Sequence, residues 1–248
     1  MQVLGIATGG TGAAVAPLVD RLRERGRVAV VRNADEGMAV EADGWSAEGS
    51  SLAVDETLDR LARDHDYALL VDRPDARFPH VAAEGVDAHD VVVRFDETIP
   101  VDDALAAIEE AEPFETLGSL VAAVKRSERA DFAGAIATFT GRVRALEDPE
   151  DAYTTSLTFE KYEGVAEERM REIEAELEGR DGVETVLLHH RTGRIDAGED
   201  IVFVVVLAGH RREAFRAVED GIDLLKEQVP IFKKEQTTDE TYWVHERR

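Results

Sequence analysis

Apolar runs and amphipathic stretches alternate through the first part of the chain. Val3–Ala7 is a continuous apolar run that leads into a glycine-rich turn, Thr8-Gly9-Gly10-Thr11-Gly12. A helical stretch follows to about Arg25, where Gly26 supplies the stop. Arg27–Val31 reads as a second strand, and Glu36–Ser51, rich in glycine and acid, as a loop or short hairpin. Leu58, Leu61 and Ala62 give Asp55–Asp64 a helical spacing. Tyr67–Val71 and Val91–Val93 read as short buried strands, and Asp102–Glu110 as a helix that stops near Pro113. This βαβ rhythm predicts a small, mostly parallel sheet with covering helices.

From about Phe114 the pattern changes. Helices are predicted over Leu117–Arg126, Ala166–Glu178 (ended by Gly179) and Arg211–Val229 (stopped by Pro230). Strands are predicted over Gly134–Val143, Ser156–Tyr162, Val183–His190 and Ile201–Leu207, with Gly193–Asp200 as a hairpin-like connection between the last two. Strands joined by hairpins, with separate helices, indicate α+β. The reading is therefore two domains, an α/β domain over 1–112 and an α+β domain over 113–248, with the boundary near Glu112–Thr116.

Composition narrows the function. The 248 residues are 44% hydrophobic, enough for packed cores, and carry a net charge of −24. Such a charge opposes nonspecific binding to nucleic acid or anionic membrane. The absence of cysteine excludes disulfides, thiolate metal sites and a cysteine nucleophile. The longest apolar run, Ile201–Ala208, is far short of the ~20 residues that span a bilayer. Met1-Gln2-Val3-Leu4 lacks the basic start of a signal peptide, so a soluble, cytoplasmic protein is expected. Of the 29 basic residues only five are lysine, the other 24 being arginine. An acid-rich, lysine-poor chain suits saturated salt, where counterions screen self-repulsion, and a halophilic source is expected. Dialysis to low salt is expected to unfold the protein, which circular dichroism would show; full stability there would refute the reading.

The turn Gly9, Gly10, Thr11, Gly12 has the context of a phosphate-binding loop, a strand before and a helix after. Gly5 and Gly10 have the spacing, but Thr11 and Gly12, or Ala13 and Ala14 in the other register, stand where lysine and serine or threonine belong. No lysine precedes Lys125. With Tyr67–Asp72 as a second acidic strand, this half resembles a degenerate MobB-type P-loop domain. It is not expected to hydrolyse nucleotide, and a structural role for the loop is the plainer alternative.

Three basic clusters mark the second half: Phe139-Thr140-Gly141-Arg142-Val143-Arg144, Gly209-His210-Arg211-Arg212, and Lys226 with Pro230-Ile231-Phe232-Lys233-Lys234-Glu235. Phe215, Val218, Ile222, Leu225 and Val229 form an apolar stripe on the last helix. Lys226 falls about 40° from Ile222, and Arg211 about 20° on the other side. An amine held beside apolar walls favours its neutral, reactive form, a part arginine cannot play. Arg211 and Lys226 are about 22 Å apart on a straight helix. One small ligand then touches both only if the helix bends, as Gly221 would permit, or if a twofold dimer brings two helix ends together; the dimer is favoured. Taken alone, Lys233 and Lys234 read as a solvated strand edge, His210 as a helix-start hydrogen-bonding group, and Arg142 and Arg144 as partners for nearby acids on one strand face.

These residues, with Leu157–Glu163 and His190–Arg194, make the chain from about Glu115 to Trp243 resemble MoaE, the large subunit of molybdopterin synthase. The family usually has tryptophan where Phe232 stands. The resemblance implies an α/β-hammerhead fold and a central homodimer flanked by two ubiquitin-fold, MoaD-like small subunits, a heterotetramer. The small subunit's C-terminal Gly-Gly thiocarboxylate would deliver sulfur to cyclic pyranopterin monophosphate, giving the molybdopterin dithiolene. It further implies that Lys226 and Lys233 are catalytic, and that Arg142, Arg144, His210, Arg211, Lys234 and Glu235 line the substrate pocket, His210 and Arg211 reaching in from the neighbouring subunit. No metal or resident cofactor is implied. The alternative is a nucleotide-binding adaptor that docks, or is modified on these lysines by, a ubiquitin-like protein.

Overall fold

The computed structural model describes residues 1–34, 37–50, 53–162 and 164–244. Glu36, Ser51 and Glu163, which end segments named above, lie outside them. The chain forms two compact units, Met1–Ser119 and Leu120–Arg248.

The first unit holds β1 (Gln2–Ala7), α1 (Ala16–Arg23), β2 (Val28–Ala34), β3 (Gly37–Ala42), β4 (Trp45–Gly49), α2 (Val54–Leu61), β5 (Tyr67–Val71), β6 (His80–Ala83), β7 (Val91–Phe95) and α3 (Val101–Glu110). One seven-stranded sheet runs in the order β4-β3-β2-β5-β1-β6-β7. The five strands from β2 to β7 in that order are parallel. Strand alternation divides their side chains between two cores. Leu4, Ile6, Leu69 and Val71 join Leu18, Leu22 and Ile108 on one face; Val3, Ala68 and Leu70 join Leu58 and Leu61 on the other. Both faces are buried, which is why these strands read as unbroken apolar runs.

One strand is missing from the sequence reading, and the segment read as a loop or short hairpin is a hairpin. β6 escapes that reading because His80-Val81-Ala82-Ala83 is short and opens on a histidine. The Glu36–Ser51 segment contains a formed hairpin, β3–β4, turning at Asp43-Gly44 with Gly44 at φ +105°. Asp43 also accepts the Val28 amide at 3.0 Å. That bond first, and then Arg23, hold its carboxyl below the usual range against the opposing pull of burial.

The second unit follows α4 (Leu117–Lys125), which crosses the division between the units. It contains β8 (Ala135–Arg142), β9 (Thr154–Lys161), α5 (Val165–Glu178), β10 (Val183–His190), β11 (Gly193–Asp196), β12 (Asp200–Ala208), α6 (Arg211–Gln228), β13 (Ile231–Thr237) and β14 (Thr241–Val244). One sheet has the order β10-β12-β8, the other β11-β9-β13-β14, and all their pairings are antiparallel. A single apolar core joins Val202, Val204, Val206 and Ala208 of β12 to Leu157, Phe159 and Ile195 of the other sheet and to the inner faces of α5 and α6. The predicted hairpin connection is more than a turn: Gly193–Asp196 is a strand of the second sheet, paired with β9. The segment after Pro230 is a strand too, and an interior one. β9 and β14 flank β13, so Lys233 and Lys234 do not guard an open edge.

The outer edge of β10 is closed by side chains. Glu178 accepts the Val186 amide at 2.8 Å, and Glu174 the Leu188 amide at 2.6 Å. Four residues of helix and two of strand advance by nearly equal lengths, about 6 to 7 Å, so two carboxylates on successive turns match alternate strand amides. Burial pushes the Glu174 carboxyl up to about 7, reinforced by Glu178 and opposed by the Leu188 amide and Arg171. The folded chain thus keeps a proton that the unfolded chain loses, and this group's contribution to stability falls as pH rises from its ordinary value of 4.5 to about 7. Glu174→Gln keeps a carbonyl acceptor and removes the titration. The variant is expected to gain about 1–2 kcal/mol over the native chain at pH 8 and little at pH 5, allowing for solvent screening. Denaturant titrations at the two pH values, in molar salt, check this; equal differences would refute it.

Candidate functional site

The glycine-rich loop of the first unit departs from a phosphate cradle at both ends. Gly5 lies inside β1, paired with Leu70 and His80, and a Cβ there would fall 2.2 Å from the His80 ring. Its missing side chain makes room for that buried imidazole, whose nitrogens face the carbonyl oxygens of Phe78 and Arg73 at 2.8 and 3.0 Å. Gly9, Gly10 and Gly12 all have positive φ, and α1 begins only at Ala16. The Asp72 carboxylate sits against the loop and accepts the Thr8 amide at 2.7 Å and the Thr8 hydroxyl at 2.9 Å. A carboxylate at this point repels a phosphate and uses two of the donors that would hold one.

In the second unit, α6 is an uninterrupted helix from Arg211 to Gln228. Gly221 serves close packing: a Cβ there would lie 3.1 Å from Val204 Cγ1 and 3.4 Å from Leu177 Cδ1. The buried side of α6 is Ala214, Ala217, Val218, Gly221, Ile222 and Leu225. Phe215, expected in the stripe, is 65% exposed. The small residues let the helix approach the sheet, and they are turned inward together with Val218, Ile222, Leu225 and Val229 of the expected stripe, from which Phe215 alone departs. Phe215 and Lys226 differ by about 20° around the axis and share one flank. Lys226 is exposed, so the apolar walls expected around its amine are not supplied by its own helix.

At the other end of α6, His210 is the N-cap residue, and its side chain makes no capping bond. The helix-start alternative therefore has no hydrogen bond behind it. Arg211 and Arg212 are exposed in the first turn. Cations there oppose the helix dipole, whereas an anion is favoured among the free amides. Arg142 ends β8 and donates from Nε to the Gly198 carbonyl at 3.0 Å, beside Asp200 at 3.4 Å. Arg144 lies beyond the strand and pairs with Glu147 at 3.3 Å, so the two arginines do not share a strand face. Both pairs are exposed, worth about 0–1 kcal/mol, and readily exchanged for a ligand anion.

Register separates the third cluster. Lys233 is opposite Phe159, Lys234 opposite Thr158 and Glu235 opposite Leu157 on β9. Alternation puts Lys233 and Glu235 on the face shared with core residues Phe159 and Leu157, and Lys234 on the other. There Lys234 Nζ stands 5.7 Å from the Trp243 ring centroid. All three side chains are half-buried. Phe232 is exposed and meets Tyr162 edge-on at 5.5 Å. Lys161, on the Lys233 face, pairs with Glu167 at 2.6 Å. Glu235 accepts a bond from the Thr154 hydroxyl and stands opposite Tyr242 of β14. Lost hydration first, and then the charge and hydrogen bond of Glu235, push the Tyr242 phenol above its ordinary value. Thr154 and Tyr242 were absent from the sequence reading; only the pairings of β9 and β14 reveal them.

The structure thus brings Lys233 and Glu235 onto one sheet face and Lys226 to the helix end just before that strand. It leaves His210 and Arg211 at the far end of α6, about 22 Å away. A hollow of ≈ 310 Å³ lined by Val165, Glu168, Arg169, Glu172, Gln228 and Pro230 includes none of the expected site residues. Among the described residues, no three His, Asp or Glu side chains gather to hold a metal ion. No helix among them is long and apolar enough to cross a membrane.

Comparison with known proteins gives these geometries a context. The MoaE protein family matches residues 110–228, which include Lys226 and stop before Lys233. A probable molybdopterin synthase of Haloferax volcanii is 52% identical over 265 aligned residues, covering 100% of both chains. The molybdopterin synthase catalytic subunit of Escherichia coli is 40% identical over 46% of this chain and 75% of its own. A crystal structure of molybdopterin synthase from Staphylococcus aureus aligns with 54% of this chain and 93% of its own, at 31% identity and a TM-score of 0.47.

Proposed function

From the premise that the chain belongs to the MoaE family of molybdopterin synthases, we propose that the elements α6 and β13 carry its sulfur-transfer site, with Lys226 and Lys233 as the catalytic amines. The family's activity is a sulfurtransferase reaction of molybdenum cofactor biosynthesis, and the whole-length relationship extends it to a chain with this N-terminal unit. The observation that carries the reading is the half-buried Lys233 on an interior strand, on one face with Glu235 and just beyond the helix end that bears Lys226.

On this reading the sulfur arrives as the C-terminal thiocarboxylate of a ubiquitin-fold, MoaD-like small subunit, which suits a chain without cysteine. The acceptor is cyclic pyranopterin monophosphate. Two transfers supply the two sulfurs of the dithiolene, and each leaves the small subunit's tail as a carboxylate. Water adds to the acyl carbon to give a tetrahedral oxyanion, which a lysine ammonium stabilises; its collapse breaks the C–S bond, leaving sulfur on the pterin and a carboxylate on the tail. An amine that also exchanges its proton serves as acid or base in the same step. The substrate phosphate fits arginine, which binds it through paired donors. His210 and Arg211, at a helix start where a cation is disfavoured and an anion favoured, suit that phosphate, and Arg142 and Arg144 add exchangeable charge. The length of α6 supports a homodimer in which His210 and Arg211 of one protomer complete the site of its partner. The exposed Phe215 on the Lys226 flank supplies apolar surface for such an interface. No resident metal or cofactor enters this scheme.

The test is a molybdopterin-formation assay in molar potassium chloride, combining the protein, a thiocarboxylated small subunit and cyclic pyranopterin monophosphate. Product formation supports the reading. No product from a folded protein that still binds the small subunit would favour the adaptor. The first unit has no part in phosphate chemistry on this reading, given the carboxylate of Asp72 at its loop. The full chain is expected to show no magnesium-dependent GTP turnover above a heat-denatured control, and turnover would overturn that statement.

A further inference from the structure

We propose that Thr154 and Tyr242 are positioning residues for sulfur transfer: their hydroxyls hold the Glu235 carboxylate on the sheet face that carries Lys233, turned away from that lysine. The inference rests on the reading that Lys233 and Glu235 line the reaction site.

The arrangement comes from the strand register. Glu235 has β9 on one side and β14 on the other, opposite Leu157 and Tyr242 respectively. Directly paired residues in an antiparallel sheet point to one face, so the Tyr242 phenol rises beside the Glu235 carboxylate. Thr154 reaches the same face through an irregularity. Gln236 pairs with Ser156, yet Thr237 pairs with Thr154, so Thr155 is the extra residue of a bulge. A bulge re-aims side chains. Thr155 donates to the Gln236 carbonyl at 2.9 Å, and buried Thr154 donates to Glu235 Oε1.

Geometry also gives the clamp its direction. Lys233 and Glu235 are two residues apart on one strand, about 6.7 Å between their Cα atoms. Within that span a free glutamate side chain can turn back and pair with the lysine ammonium. Thr154 lies on the Thr237 side of Glu235, away from Lys233, and Tyr242 lies level with it. Donors so placed fix the carboxylate in one rotamer and leave the amine available to the reacting groups. Without them the carboxylate is released to pair with the lysine instead.

The experiment measures steady-state molybdopterin formation by the full chain with its thiocarboxylated small subunit and the cyclic pterin, in molar salt. Thr154→Val removes the hydroxyl at constant volume and shape, and Tyr242→Phe removes the other. Each is expected to lower kcat roughly tenfold, the worth of one hydrogen bond to a charged group, with KM changed less than about twofold. Thr154→Ser is expected to restore the rate. In a Glu235→Gln background, Thr154→Val is expected to cost nothing further, because the hydroxyl acts only through the carboxylate. Wild-type kcat in both single variants overturns the inference, as does an equal loss with and without Glu235→Gln. If Glu235→Gln is itself fully active, the assignment of Glu235 to the site fails with it. If Glu235→Gln is impaired but Thr154→Val is additive to it, the site stands and the clamp alone fails. Thermal melts confirm that each variant is folded.

Discussion

Lys233→Ala is expected to reduce molybdopterin formation by about 10²- to 10³-fold while leaving the protein folded and able to bind its small subunit. The backbone of Lys233 is paired on both sides, to Phe159 and Val244, so truncating the side chain leaves the ladder intact. Its half-buried position makes alanine tolerable and limits the effect to the amine. Lys233→Arg keeps the charge but not the capacity to give up a proton. It is expected to recover part of the oxyanion stabilisation and none of the proton transfer. Product yield in molar salt, with melting curves alongside, checks both variants. A Lys233→Ala protein that retains most of its rate would remove Lys233 from the mechanism and leave Lys226 to be tested as the catalytic amine.

Mixing two inactive variants is expected to restore activity. In a twofold dimer with sites shared between protomers, Arg211→Ala damages one component of each site and Lys233→Ala the other. A mixed dimer has one site with both lesions and one with neither. Random re-pairing makes half the dimers mixed, so about a quarter of native activity should return from two nearly inactive preparations. The distance along α6 is the reason to expect this. Its 18 residues place Arg211 and Lys226 at opposite ends, and no break at Gly221 brings them together. Co-unfolding and refolding equal amounts of the variants, followed by assay, provides the measurement. Activity no greater than the sum of the two would mean that each site is built within one protomer.

The elements most legible in the sequence were those whose pattern depends on burial. β1, β5 and β12 are apolar because both faces are covered, and α5 and α6 carry helical spacing with clear stops at Gly179 and Pro230. Elements defined by their neighbours were harder to read. β13 carries charge on both faces, Lys233 and Glu235 on one and Lys234 on the other, and only pairing with β9 and β14 makes it a strand. β11 is a four-residue strand that leaves the sheet of its chain neighbours β10 and β12 to pair with β9, so its glycine and polar residues resembled a turn. Phe215 was misplaced because spacing alone weighs bulk, whereas the packed face of α6 is selected by small residues at Ala214, Ala217 and Gly221. The candidate site residues come from motif. Their division between faces, with Lys233 and Glu235 on one and Lys234 on the other, is a property of register that spacing does not carry.

The carboxylates of Glu174 and Glu178 have a consequence for life at high concentration. Unsatisfied amides along an exposed strand invite a stranger's strand to continue the sheet, and that addition can repeat without limit. Here two of those amides are already taken by the chain's own helix. A second copy approaching β10 must first displace both carboxyl groups from the amides they already hold. The protein therefore carries its own guard against fibre growth at the one sheet margin that runs beside α5, and it does so with the acidic residues that also give the chain its charge.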